Sequence, residues 1–163
     1  MFSKINLLGV VCGHYSSFGN ENGNGKWKDY VLFCLIPLLV GVGYWCGLKW
    51  RGFSVIPCSC WVSSVSANAI LVPLILTLLT CLYSSRDKYS GNARALLKYL
   101  CENSAYCVLV ALSVMLYAIG AEIFDARANL VVNAIFVSVG AHFLLTLLMV
   151  MKRFHNLFVI VLE

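Results

Sequence analysis

Charge is what this 163-residue chain has least of. Asp, Glu, Lys and Arg together make up 12% of it, where an ordinary soluble domain carries roughly 25%. The charges are also bunched. Residues 30–48, 52–85, 103–121 and 128–151 contain none. A bilayer core about 30 Å thick needs roughly 20 apolar helical residues to cross it. Four gaps of that size predict four membrane-spanning helices, because too little polar surface remains to cover a soluble globule. Proline is almost absent as well, with 3 residues. Other absences exclude chemistry. No carboxylate lies deep in a gap, no Cys-x-x-Cys pair or histidine cluster suggests zinc, and Gly19–Gly25 lacks the lysine and helix of a phosphate loop. Nothing in the spacing pairs a nucleophile with a base. No catalytic residue, metal or cofactor is expected, and the chain reads as a non-enzyme.

Hydrophobic residues make up 61% of the chain. The expected class is all-α, a polytopic membrane protein with spans at about 30–48, 62–83, 103–121 and 128–151. Residues 1–29 form an N-terminal segment, 30–151 the membrane domain and 152–163 a tail. The net charge is +5. Four crossings put Lys4, Lys26, Lys28, Arg86, Lys88, Arg94, Lys98, Lys152 and Arg153 on one side. Only Lys49, Arg51 and Arg127 fall on the other. The positive-inside rule then predicts a cytoplasmic N-terminus, C-terminus and 84–102 loop. That basic face is expected to meet anionic lipid headgroups, and no direct nucleic-acid binding is expected.

Within the spans, Pro37 should weaken or kink the first helix. Gly43 and Gly47 are four apart, a spacing that lets helices approach closely. Residues 53–61, with Pro57, Cys58 and Cys60, read as a non-helical interfacial entry to span two. Cys58 and Cys60 lie where oxidation is possible, with Cys46 as a candidate partner. Ser63, Ser66, Ala69, Ile70, Pro73, Thr77 and Thr80 share one face of span two, for helix packing or, alternatively, a pore lining. Asn68 should hydrogen-bond a neighbour. Asn92 is placed to cap a helix, and Lys98 and Glu102 are spaced for an ion pair. Asn129 and Asn133 form a polar patch near the outer end. His14 and His155 read as interfacial side chains.

His142 is the one ionisable residue inside an expected span, and such a residue is a functional candidate by default. Ser138, His142, Thr146 and Arg153 share its helix face. That face either lines a wet path or bonds hydroxyls and backbone groups of a neighbouring helix.

Four runs give the chain a resemblance: Gly13-His14-Tyr15 with Glu21-Asn22-Gly23, then Asp29–Gly41, Asn92–Asn103 and Ala141–Leu157. They resemble small four-span bacterial membrane proteins associated with antiphage defence modules, of retron type or Kiwa type. The resemblance implies a role in sensing infection at the inner membrane or in permeabilising it. The reading it supports is a homo-oligomeric effector that opens the membrane. The alternative is an anchor or sensor that recruits a soluble cytoplasmic partner from the same operon.

Overall fold

A computed structural model describes residues 7–16, 31–50, 52, 55–84, 87 and 91–162. These residues are 94% helical and contain no strand. Four helices are long and apolar enough to cross a membrane. Helix is the outcome such runs must take, because lipid offers a backbone amide no alternative partner. A short helix α1 spans Leu7–Ser16. The first spanning helix, α2, begins as a π-helical turn over Val31–Leu35 and continues as α-helix over Ile36–Trp50. Helix α3 spans Cys58–Ser84, α4 Gly91–Ile123 and α5 Leu130–Leu162. A 3-10 turn, Ala126–Ala128, joins the last two.

The spanning helices form a row in the order α2–α5–α4–α3, and α1 lies on α4. Helices α2 and α3 are consecutive in sequence yet share no packed interface among the described residues. The main core sits where α4 meets α3 and α5. It comprises Leu100, Cys107, Ala111 and Val114 of α4, Ile75 and Leu82 of α3, and Phe143 and Val150 of α5. A smaller cluster at the α4–α5 turn is built on Trp61, whose ring stacks on Phe136 at 4.0 Å.

Helix α2 approaches α5 most closely at Gly41. A methyl group there would sit 2.8 Å from Ser138 Cβ and 2.9 Å from the Ala134 carbonyl oxygen. Gly41 and the small pair Ala134 and Ser138 therefore let the two backbones touch. Gly43 has open space around it, while Gly47 is buried.

The helices outrun the charge-free gaps. Helices α4 and α5 have 33 residues each, about 50 Å at 1.5 Å per residue. Charge limits how much of a helix sits in lipid, not where the helix ends. Lys98 and Glu102 pair along α4 at 4.0 Å, and Arg153 of α5 lies 5.6 Å from the centre of the Tyr99 ring. The tail through Leu162 continues α5. The non-helical entry to α3 is shorter than expected. Helix starts at Cys58, the Cys60 amide bonds the Pro57 carbonyl at 3.0 Å, and Trp61 is buried.

Two polar expectations also change. Asn133 is fully buried, not hydrated. Its Oδ1 accepts from the Ile56 amide at 3.0 Å and its Nδ2 donates to the Asn129 carbonyl at 2.9 Å. It ties the α2–α3 connection to the start of α5. Asn129 caps that helix through the Val131 amide at 2.8 Å. Asn68 bonds within its own helix, Nδ2 to the Ser64 carbonyl at 2.9 Å, and its Oδ1 has no partner among the described residues. Gly91 opens α4 with a positive φ of 54°; the Asn92 side chain lies outside what is described. Among the described residues no two cysteines are joined in a disulfide. Residues 17–30, with the Gly19–Gly25 run, lie outside the described residues.

Candidate functional site

The most unusual backbone in the spans has a cause four residues away. Pro37 has no amide hydrogen, so it cannot close the α-helical bond to the carbonyl of residue 33. The chain before it takes a π-helical turn, a form often found at functional positions. The Phe33 carbonyl points across to α5, where His142 Nδ1 lies 2.9 Å away. A carbonyl only accepts, so Nδ1 carries the proton. In the neutral ring Nε2 is then the acceptor, and Tyr106 of α4 donates its hydroxyl to it at 2.9 Å. His142 thus bridges three helices. Thr146, one turn on and fully buried, donates to the His142 carbonyl at 2.8 Å.

Tyr106 also receives α1. The His14 ring stacks on the Tyr106 ring, with centroids 3.8 Å apart and planes 11° from parallel. His14 is fully buried and its Nδ1 lies 2.7 Å from Asn103 Oδ1. Asn103 Nδ2 donates to the Tyr99 carbonyl at 2.7 Å, which fixes the amide orientation and makes His14 Nδ1 the donor. Gly13 lets α1 settle on α4, since a methyl group there would meet Glu102 Cδ at 3.2 Å. Tyr15 adds contacts on both sides. Its hydroxyl lies 4.0 Å from Cys34 Sγ, and its ring meets Tyr106 edge-on at 6.1 Å.

Burial sets the electrostatics of α1. It is the main cause that pulls the His14 pKa down from 6.5 to about 4. The Asn103 bond works in the other direction, while His142 and Arg153 add weaker depressions. His14 is therefore neutral near pH 7. Burial, then a hydrogen bond with Tyr106, pushes the Tyr15 hydroxyl upward.

Depth follows from helix geometry. His142 lies about 18 Å along α5 from Leu130, and Tyr106 about 25 Å along α4 from Ile123. The cluster occupies the half of the spans farther from the α4–α5 turn. There His14, Tyr106 and His142 form a chain of a hydrogen bond and ring contacts that α1 covers at one end. Its hydrogen-bonded members among the described residues include no carboxylate. Among the described residues no group of three or more His, Cys, Asp or Glu side chains gathers to hold a metal ion. The arrangement suits changes of hydrogen-bond partner or helix position.

The α5 residues Ser138, His142, Thr146 and Arg153 lie against neighbouring groups of the protomer. Ser138 touches Gly41, His142 and Thr146 bond as described, and Arg153 lies over Tyr99. The hydroxyl-rich face of α3 points the other way. Ser63, Ser66, Thr77 and Thr80 are all exposed. Ser66, Thr77 and Thr80 donate to carbonyls four residues back, at 3.1, 2.8 and 2.9 Å. That internal bonding is how hydroxyls tolerate an apolar surrounding. The sequence reading passed over Asn103 and Tyr106 and treated His14 as an interfacial side chain. One signal was available: a proline four residues beyond Phe33 announces a carbonyl in need of a donor. Comparison with protein-family models, curated proteins and solved structures found no match to this chain.

Proposed function

We propose that this chain is a membrane component of a bacterial antiviral defence system. In this reading it lies in the inner membrane with both termini cytoplasmic, and homo-oligomers of it permeabilise the membrane on infection. The observation that supports it is convergence. The four runs that carry the resemblance supply His14 and Tyr15, Phe33 and Pro37, Tyr99 and Asn103, and His142 and Thr146, and these residues meet in one cluster.

The protomer interior is packed, so the conducting path would lie between copies. The exposed hydroxyl face of α3 supplies a polar lining at one edge of the row. Helix α1 would act as the latch. Docked through His14, it holds α4 and α5 in one arrangement; released, it uncovers the Tyr106–His142 chain. No catalytic step, cofactor or nucleic-acid contact enters the proposal. The α1 contact also favours the second reading, a sensor or anchor in which a soluble cytoplasmic partner from the same operon takes hold of α1.

The experiment is membrane potential in cells expressing the chain with its genomic neighbours during phage infection. Depolarisation that depends on the chain, and that appears without phage in His14→Ala, supports the latched effector. Protection with an intact potential rejects permeabilisation and leaves the sensor. Absence of protection in every host and phage tried rejects the defence role.

A further inference from the structure

A shallow groove of about 250 Å³ runs between α2 and α5 on the face of the row. Its walls include Leu38, Val42 and Trp45 of α2 and Val131 and Ile135 of α5, and its floor is the close contact of Gly41 with Ser138. Small-molecule sites generally run from roughly 300 to 1,000 Å³, so this one suits a single slender chain. The groove extends from about 7 Å to about 18 Å along α2 from Trp50. That range runs from near one interface to about the middle of a bilayer core about 30 Å thick. Its mouth is not apolar. Lys49 Nζ lies 5.0 Å from the centre of the Trp45 ring, so the wall residue nearest the headgroups carries an exposed cation. An apolar slot that reaches to about mid-bilayer, with a lysine beside the Trp45 end of its wall, has the charge and shape for an anionic lipid.

We propose that this groove is a binding site for an anionic phospholipid, with one acyl chain between α2 and α5 and the headgroup phosphate at Lys49. The site lies in the leaflet on the side of the α4–α5 turn, away from the His14–His142 cluster. It does not depend on the defence reading. The occupant is a lipid, not a second copy, because the feature that distinguishes the groove from the other exposed apolar faces is the cation at its mouth. Lipid binding there would hold α2 against α5 at the same contact that presents Phe33 to His142.

The full chain is reconstituted in phosphatidylcholine vesicles containing phosphatidylglycerol with a photoactivatable group midway along one acyl chain. After illumination, labelled residues are mapped by mass spectrometry. Labelling should concentrate on residues 38–45 and 131–138, and unlabelled phosphatidylglycerol should compete about fivefold better than phosphatidylcholine, the effect of one basic side chain at an anionic surface. Lys49→Gln should remove that preference and leave labelling in place. Val42→Trp, or Val131→Trp if the first does not fold, should fill the groove and reduce labelling there with residues 70–76 of α3 unchanged. Equal labelling of the groove and of α3 overturns the proposal, and so does equal competition by the two lipids.

Discussion

His142 and Pro37 are two halves of one hydrogen-bonding problem. The proline removes a donor from α2, and the histidine on α5 returns one. Replacing the histidine removes one donor from the Phe33 carbonyl, and a typical hydrogen bond contributes roughly 0.5–1.5 kcal/mol. In membranes such interhelical bonds average less, about 0.6 kcal/mol, so His142→Phe should destabilise by ~0.5–2 kcal/mol. Pro37→Ala restores an amide hydrogen four residues beyond Phe33. The carbonyl then has a backbone partner, and His142→Phe should cost less in the Pro37→Ala background than alone. Unfolding of the four proteins in mixed detergent measures this cycle. Strict additivity would show that the two residues are uncoupled. His14 makes a second prediction at this scale. Its folded pKa of about 4 lies below the ordinary 6.5, so the undocked chain binds the extra proton. Docking of α1 should be strongest above pH 6.5 and weaken as pH falls toward 4. The groups that face His14 are Asn103 and Tyr106 on α4, Phe33 on α2, and His142 and Arg153 from α5. The mobility of a spin label on Cys12, the remaining cysteines replaced, should rise across that window in the wild type. In His14→Gln it should be flat with pH.

Helix α2 depends on one glycine, and the reason is distance. A Cβ at Gly41 would strike the backbone oxygen of Ala134, which cannot rotate away as a side-chain end can. Gly41→Ala should therefore push α2 off α5 and cost about 1–3 kcal/mol, as overpacking does. Gly43→Ala should be neutral, because open space surrounds it. Thermal unfolding of the two variants in detergent separates them; equal stability would contradict the close approach. At this scale the sequence was legible where one kind of residue decides the outcome. Four gaps in charge find four spanning helices, and the i, i+4 spacing finds the Lys98–Glu102 pair. Helix ends were less legible, because charges such as Arg153 leave lipid without leaving helix. The cluster was half legible. His142 stands out because charge is rare around it, and Pro37 because proline is rare. Nothing local marks Asn103 as the partner of a histidine 89 positions away. That pairing exists only once α1 has been laid on α4.

For the whole molecule, the order of the helices decides where polar groups can act. A closed bundle would bury all four helices, whereas this row leaves α2 and α3 as edges. In the most apolar stretch of α4, 50% of residues are buried, against 11% in α3. The polar face of α5 is enclosed between neighbours and the hydroxyl face of α3 is open, so a path for ions made by several copies would involve α3. A substitution on α3 then separates function from folding. Thr77 and Thr80 bond only within their own helix and are exposed, so Thr77→Val with Thr80→Val should change unfolding by less than about 0.5 kcal/mol, as exposed substitutions do. On the proposed reading the same pair should reduce ion flux through vesicles containing the chain, because it would remove hydroxyls from a wall between copies. Flux can be followed by release of a potential-sensitive dye, and stability by unfolding in the same lipid. Unchanged flux with unchanged stability would move the path away from α3. A matching loss on Ser138→Ala and Thr146→Val would place it inside the protomer, along the polar residues of α5.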